Sequence, residues 1–136
     1  MIGRTFWLNL PVQNIEKSKE FYQKIGFRLS ADSKGNSAHS ACFILSEKEV
    51  ILMLFDEETF KNFIGQDPAK TKTQVLLSIS ADSKEEVDAI AQKAITEGGK
   101  SQHKPAPMQG WMYGCNFSDL DGHLWNVLFM NEALIK

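Results

Sequence analysis

The side chains able to carry chemistry are few in this chain of 136 residues, and they are scattered. His39, His103 and His123 fall on a strand start, a loop and a turn, without the spacing that brings imidazoles onto one metal ion. Cys42 and Cys115 are far apart and have no CxxC companion, so neither a zinc knuckle nor a thioredoxin-type pair is expected. Each cysteine sits in an apolar run with no adjacent cation to lower its pKa, which reads as a buried core thiol rather than a nucleophile. Asp119 and Asp121 form a carboxylate pair, yet in Asp-Leu-Asp-Gly the commoner task of such residues is to hold the turn backbone. Asn126 is the one polar side chain within the alternating run that follows. What an amide can do there bears directly on function.

The elements that must position these groups come in two similar sets. Thr5 to Val12 alternates as a strand, with Pro11 near its end suggesting that the backbone leaves the ladder there. Asn14 can cap a helix whose apolar face carries Ile15, Ser18, Phe21, Tyr22 and Ile25, and Gly26 can end it in a left-handed conformation. Strand-like runs follow at Phe27 to Ala31, Ala38 to Leu45 and Glu49 to Phe55, separated by turns at Lys34-Gly35-Asn36 and Glu47-Lys48. Residues 56–72 read as a short helix bearing Phe60, Phe63 and Ile64, then a linker through Asp67-Pro68. The pattern is then repeated. Thr73 to Ser80 is a strand, Asp82 with Glu85 suggests a capping box, and Val87, Ile90, Ala91, Ala94 and Ile95 form a helix face stopped by Gly98-Gly99. Strands are expected again at Lys100 to Lys104, Trp111 to Phe117 and His123 to Met130, with Pro105 to Gly110 as a loop. The spacing therefore predicts one domain of two repeated modules, 4–55 and 73–130, joined by 56–72. Such repeats bury their sheets by packing together.

Bulk properties exclude several classes. A chain of this length can bury roughly two thirds of its unfolded surface, so a core needs no disulfide or metal. Hydrophobic residues are 43% and charged residues 24%, a globular balance. A net charge of −2 without a dense Lys/Arg cluster speaks against nucleic acid as a partner. The N-terminus lacks a signal-peptide pattern, and no apolar run is long enough to span a bilayer. A soluble, cytoplasmic protein with no membrane association is expected.

Two motifs carry a resemblance. NLPVQNIEKSKEFYQKIGF, residues 9–27, is similar to the opening strand and SxxFYxxxGF helix of the vicinal-oxygen-chelate superfamily, which includes glyoxalases, bleomycin-resistance proteins and extradiol dioxygenases. FSDLDGHLWNV, residues 117–127, resembles that family's closing DPDG turn and last strand, with Leu120 in place of the proline. The resemblance implies an α+β fold: two βαβββ modules forming an open, cup-shaped mixed sheet with helices on the outside. It also implies a homodimer. Metal enzymes of the family place a ligand on the first and last strand of each module. Those positions, counted from the caps and the DxDG turn, are Trp7, Met53, Val75 and Asn126. Where the family has His, Gln or Glu, this chain has an indole without a lone pair, a soft thioether, an aliphatic group and a weak neutral carbonyl. A slip of one residue would bring in Leu52, Leu54, Gln74 or Leu76, of which only Gln74 could ligate. No metal and no cofactor is therefore expected.

If Trp7 and Asn126 face the cup, the period of two brings Asn9, Ile51, Phe55, Leu77, Leu124 and Leu128 with them, while Leu8, Leu10, Leu52, Trp125, Val127 and Phe129 pack beneath the helices. The expected ligand-binding set is Trp7, Asn9, Met53, Val75, Leu77, Trp111, Asn126 and Leu128, an apolar pocket with two amides. Alternatives stand beside it. Trp7 can simply fill the cup, Asn126 can bond Asn9, and Trp111, Met112 and Tyr113 can either stack on a planar ligand or be covered by a partner subunit. Three functions follow: capture of a small hydrophobic or aromatic molecule without catalysis, a glyoxalase-like lyase or isomerase, or a dimerising module with a filled cup. No catalytic residue is assigned, since neither a base nor an electrophile stands at the four positions.

Overall fold

The computed structural model describes residues 5–64, 67, 75–108 and 110–131. The chain divides into two compact units, residues 1–71 and 72–136. Among the described residues each contains one four-stranded mixed sheet, and three helices make the class α+β.

Unit 1 runs β1 (Phe6–Val12), α1 (Ile15–Lys24), β2 (Arg28–Leu29), β3 (Ser40–Ser46), β4 (Val50–Asp56) and α2 (Glu57–Ile64), with sheet order β1-β4-β3-β2. β1 is parallel to β4, and the other pairs are antiparallel. The Asn14 side chain accepts from the Lys17 backbone N–H at 3.0 Å, satisfying a donor of the first helical turn. Gly26, at φ 113°, lets the chain turn away where a Cβ would be strained. Ile15, Phe21 and Tyr22 are buried with Leu10, Val12, Phe43, Leu52 and Leu54. The Tyr22 ring anchors this core, with centroids 5.4 Å from Phe21, 5.2 Å from Phe27 and 5.6 Å from Phe43.

Two expectations differ here. Pro11 does not take the chain out of the sheet, because β1 is an edge strand and its register continues from Pro11 opposite Phe55 to Val12 opposite Asp56. The strand expected at Phe27 to Ala31 shrinks to Arg28–Leu29. Beyond it, Ser30 Oγ accepts from Asp32 N, Asp32 Oδ1 from Lys34 N, and Asn36 Nδ2 donates to the Ser30 carbonyl, so local side-chain bonds replace the ladder.

Unit 2 runs β5 (Leu76–Ser80), α3 (Lys84–Thr96), β6 (Lys100–Met108), β7 (Met112–Ser118) and β8 (Leu124–Met130), in the order β5-β8-β7-β6. Thr73 and Gln74, expected in the first strand, lie outside the described residues. Val87, Ala91 and Ala94 of α3 are buried with Cys115, Phe117, Trp125 and Val127, and the Phe117 and Trp125 rings stack 6.5 Å apart. The cap is Ser83 rather than Asp82: Ser83 is extended, its Oγ accepts from Glu86 N at 3.1 Å, and the Glu86 carboxylate returns to Asp82 N at 3.3 Å. Pro105 to Met108 belongs to a strand rather than a loop. β6 is the sheet edge, and its register shifts between His103 and Ala106 leave Pro105 without a ladder bond to supply.

Candidate functional site

Register assigns each side chain to a face. In unit 1, Trp7 pairs with Ile51, Asn9 with Met53 and Pro11 with Phe55, whereas Leu8 and Leu10 pair with the buried Leu52 and Leu54. The first set lies on the face away from α1. Trp7 is 55% exposed there, Asn9 is exposed, and Ile51, Met53 and Phe55 are half-buried.

The same relation holds in unit 2, shifted from the expectation. Leu76 pairs with Leu124, Ser78 with Asn126 and Ser80 with Leu128, while Leu77 pairs with the buried Trp125 and Ile79 with Val127. Leu77 therefore lies on the α3 side, and the expectation that it shares a face with Asn126 is corrected; Ser78 takes that place. Val75 precedes the strand, and Leu76 holds the position equivalent to Trp7. The cause is the cap. Trp7 lies seven positions before Asn14, and the same offset from the true cap Ser83 reaches Leu76. A cap misplaced by one residue reverses every side chain of a strand. The equivalences then agree throughout: Trp7 with Leu76, Asn9 with Ser78, Ile51 with Leu124, Met53 with Asn126, and Phe55 with Leu128.

A cleft of about 510 Å³ opens on this face of unit 1, lined by Asn9, Phe55, Phe60 and Phe63. It exists because α2 follows β4 directly. Asp56 ends the strand and starts the helix, its Oδ1 accepting from Thr59 N at 2.8 Å and its Oδ2 lying 2.6 Å from His39 Nδ1. Bonds from the Thr59 hydroxyl and backbone N–H, and then His39, hold the Asp56 carboxyl below the usual carboxylate range. The Phe63 ring is 5.0 Å from Phe55, edge to face. Among the described residues no ionisable side chain lines the cleft, and its polar group is the Asn9 amide. Phe60 and Phe63 were missing from the expected set. Their spacing of three on a helix was the available signal.

In unit 2, Asn126 and Leu128 are half-buried on the corresponding face, beside the buried Asn116, whose Oδ1 accepts from His103 N at 2.9 Å. Trp111 stands in the β6–β7 hairpin and lines a separate hollow of about 80 Å³ with Met112, Tyr113, Phe129, Pro107 and Lys84. That volume is below the range for small-molecule pockets. Tyr113 does not share the face of Asn126: it pairs with Phe129, and its hydroxyl donates to Asp88 on α3 at 2.7 Å. Asp119 holds the DxDG turn, its buried carboxylate accepting from the backbone N–H of Asp121 at 2.9 Å and His123 at 2.8 Å. Cys42 and Cys115 are both buried; burial pushes the Cys42 thiol up, and burial with the nearby Asp88 charge pushes Cys115 up to about 11.

The model of the Glyoxalase/Bleomycin resistance protein/Dioxygenase superfamily matches residues 4–127. This chain belongs to that superfamily. Among solved structures, hypothetical protein SA1046 from S. aureus is 30% identical, with 95% of each chain covered and a TM-score of 0.81. A glyoxalase-related enzyme from Fulvimarina pelagi is 15% identical over 94% of this chain and 88% of its own, at a TM-score of 0.81. Lactoylglutathione lyase from Agrobacterium tumefaciens is 18% identical over 91% of both chains, at 0.65. The last two show the fold alone. No curated protein sequence matches. For a glyoxalase-superfamily metal site, the residues at the equivalent positions are Trp7, Met53, Leu76 and Asn126, and they do not fit a divalent ion. One neutral amide oxygen and one thioether supply no anionic charge, and no group of three or more His, Cys, Asp or Glu residues able to hold a metal occurs among the described residues.

Proposed function

We propose that the protein captures a small, neutral, hydrophobic or aromatic molecule in the cleft beneath α2, without a metal or cofactor and without catalysing its conversion. The observation that carries this reading is the 510 Å³ cleft with three phenylalanines and one amide. Its volume suits a small ligand, the Phe55 and Phe63 rings offer edges and faces to a planar one, and Asn9 supplies a single donor and acceptor to orient it. A charged molecule would lose its hydration there without gaining a counter-charge from the described lining. Trp7 and Met53, on the same face of unit 1 as Asn9, are the further contacts proposed. A homodimer in the cytoplasm is proposed as its working state. No helix among the described residues is long and apolar enough to cross a membrane.

A panel of neutral aromatic compounds should quench tryptophan fluorescence saturably at one equivalent. Phe63→Ala should weaken that binding by about 0.5–1.5 kcal/mol, roughly two- to tenfold. Hemithioacetal turnover on addition of nickel, zinc or magnesium, lost in Asn126→Ala, would overturn the reading in favour of a lyase. Sedimentation of the purified protein tests the dimer.

A further inference from the structure

Three methionines stand side by side on neighbouring strands of unit 2. Met108 of β6 is directly opposite Met112 of β7, and Met112 is directly opposite Met130 of β8. Directly opposed residues of antiparallel strands put their side chains on one face, with Cβ atoms roughly 4.5–5.5 Å apart. The three thioethers therefore form a row across the sheet, on the face that carries Asn126 and Leu128. Met108 is 39% exposed, Met130 is 42% exposed and Met112 between them is half-buried. The Met108 sulfur leans inward over β7, since a Cβ built on Gly114 would stand 3.1 Å from it. Gly114 lies two residues beyond Met112 on the same face, and its missing side chain is what admits the sulfur. Both ends of the row are held. Gly110, at φ 79°, closes the hairpin that sets Met108 against Met112, and Asn131 N donates to the Trp111 carbonyl at 2.9 Å beyond Met130.

We infer that this row binds a soft monovalent cation, Cu(I) or its redox-inert counterpart Ag(I), through the three thioether sulfurs. A thioether is neutral and polarisable, a poor partner for hard divalent ions and a good one for a soft ion carrying a single charge. Methionine has three rotatable bonds, so side chains on adjacent strands can turn their sulfurs onto a common point. A packing role explains the row less well, because two of its members are about two-fifths exposed at strand ends and fill no core. Ion binding needs no electron transfer, and it does not depend on the aromatic cleft, which lies in the other unit. The buried thiols are placed elsewhere: Cys115 pairs with Val127 on the α3 side, its Sγ 4.0 Å from the Val87 carbonyl oxygen.

The full chain labelled with 13C-methyl methionine, titrated with silver nitrate in chloride-free buffer, tests this. The methyl signals of Met108, Met112 and Met130 are expected to shift together and saturate at one equivalent, with that of Met53 unmoved. Met112→Leu, which conserves volume, should remove the one-equivalent step while leaving the far-ultraviolet circular dichroism and thermal midpoint of the parent. Met53→Leu should keep the step. Competition of Cu(I) against a chromophoric chelator should follow the same pattern. Absence of a saturable shift, or binding that persists in a folded Met112→Leu protein and disappears with Cys42→Ser, overturns the assignment.

Discussion

Asp119 stands out among single residues because its buried carboxylate closes the turn that aims β8. Asp119→Ala leaves the Asp121 and His123 N–H groups without that acceptor. A loss of about 1–3 kcal/mol in stability is expected, measured by urea unfolding. Gly35 is constrained by space rather than by a positive φ, since a Cβ there would stand 2.6 Å from the Cβ of Cys42. Gly35→Ala should cost about 1–3 kcal/mol as the loop lifts off β3. Cys115, its pKa pushed up to about 11, should resist a disulfide reagent at pH 8 in the native protein and react once unfolded. The turn role of Asp119 and the buried state of both thiols were readable from neighbouring residues. Phe60 and Phe63 were not identified as site residues, because an aromatic pair in a polar segment does not say which sheet face it will cover.

At the scale of elements, α2 is the part that makes a cleft of an otherwise open sheet face. Its start depends on Asp56, which bonds Thr59 and pairs with His39, while Glu57 and Glu58 add further negative charge at the same helix end. The folded-state pKa of Asp56 lies below its ordinary value. Its stabilisation is thus complete above the unfolded carboxylate value of about 3.9 and is lost as pH falls through the folded value. Ligand affinity is expected to drop along that descent, and Asp56→Ala should show the weaker affinity already at neutral pH, both measured by fluorescence titration. The remaining elements show how local signals succeed or slip. Asn14, followed by the periodic face of α1, located the start of that helix correctly. At α3, Asp82 and Ser83 are both good caps and Glu85 and Glu86 both good partners, so spacing alone did not choose between them. That one-residue ambiguity turned Leu77 to the wrong face.

For the whole chain, superfamily membership rests on the family model that matches residues 4–127. The two units have diverged on their open faces, one presenting Trp7, Asn9, Met53 and Phe55, the other Leu76, Ser78, Asn126 and Leu128. If the protein captures a neutral ligand, binding should raise its thermal midpoint with ligand concentration, and a free concentration 100 times Kd should add about 2.7 kcal/mol of stability. Added salt should barely change that affinity, in keeping with the uncharged described lining of the cleft. The class of fold, the order of its elements and the poor fit to a divalent metal were all legible in the chain. The order follows from hydrophobic periodicity and capping residues, and the fold class and the metal positions from the resemblance of two motifs to a known family, all of them properties of short stretches. Which residues share a face of β5, how α2 converts Phe60 and Phe63 into walls, and how Met108, Met112 and Met130 come to stand in one row were settled by strand register and packing. Those bring together residues far apart in sequence, and no local pattern records the pairing.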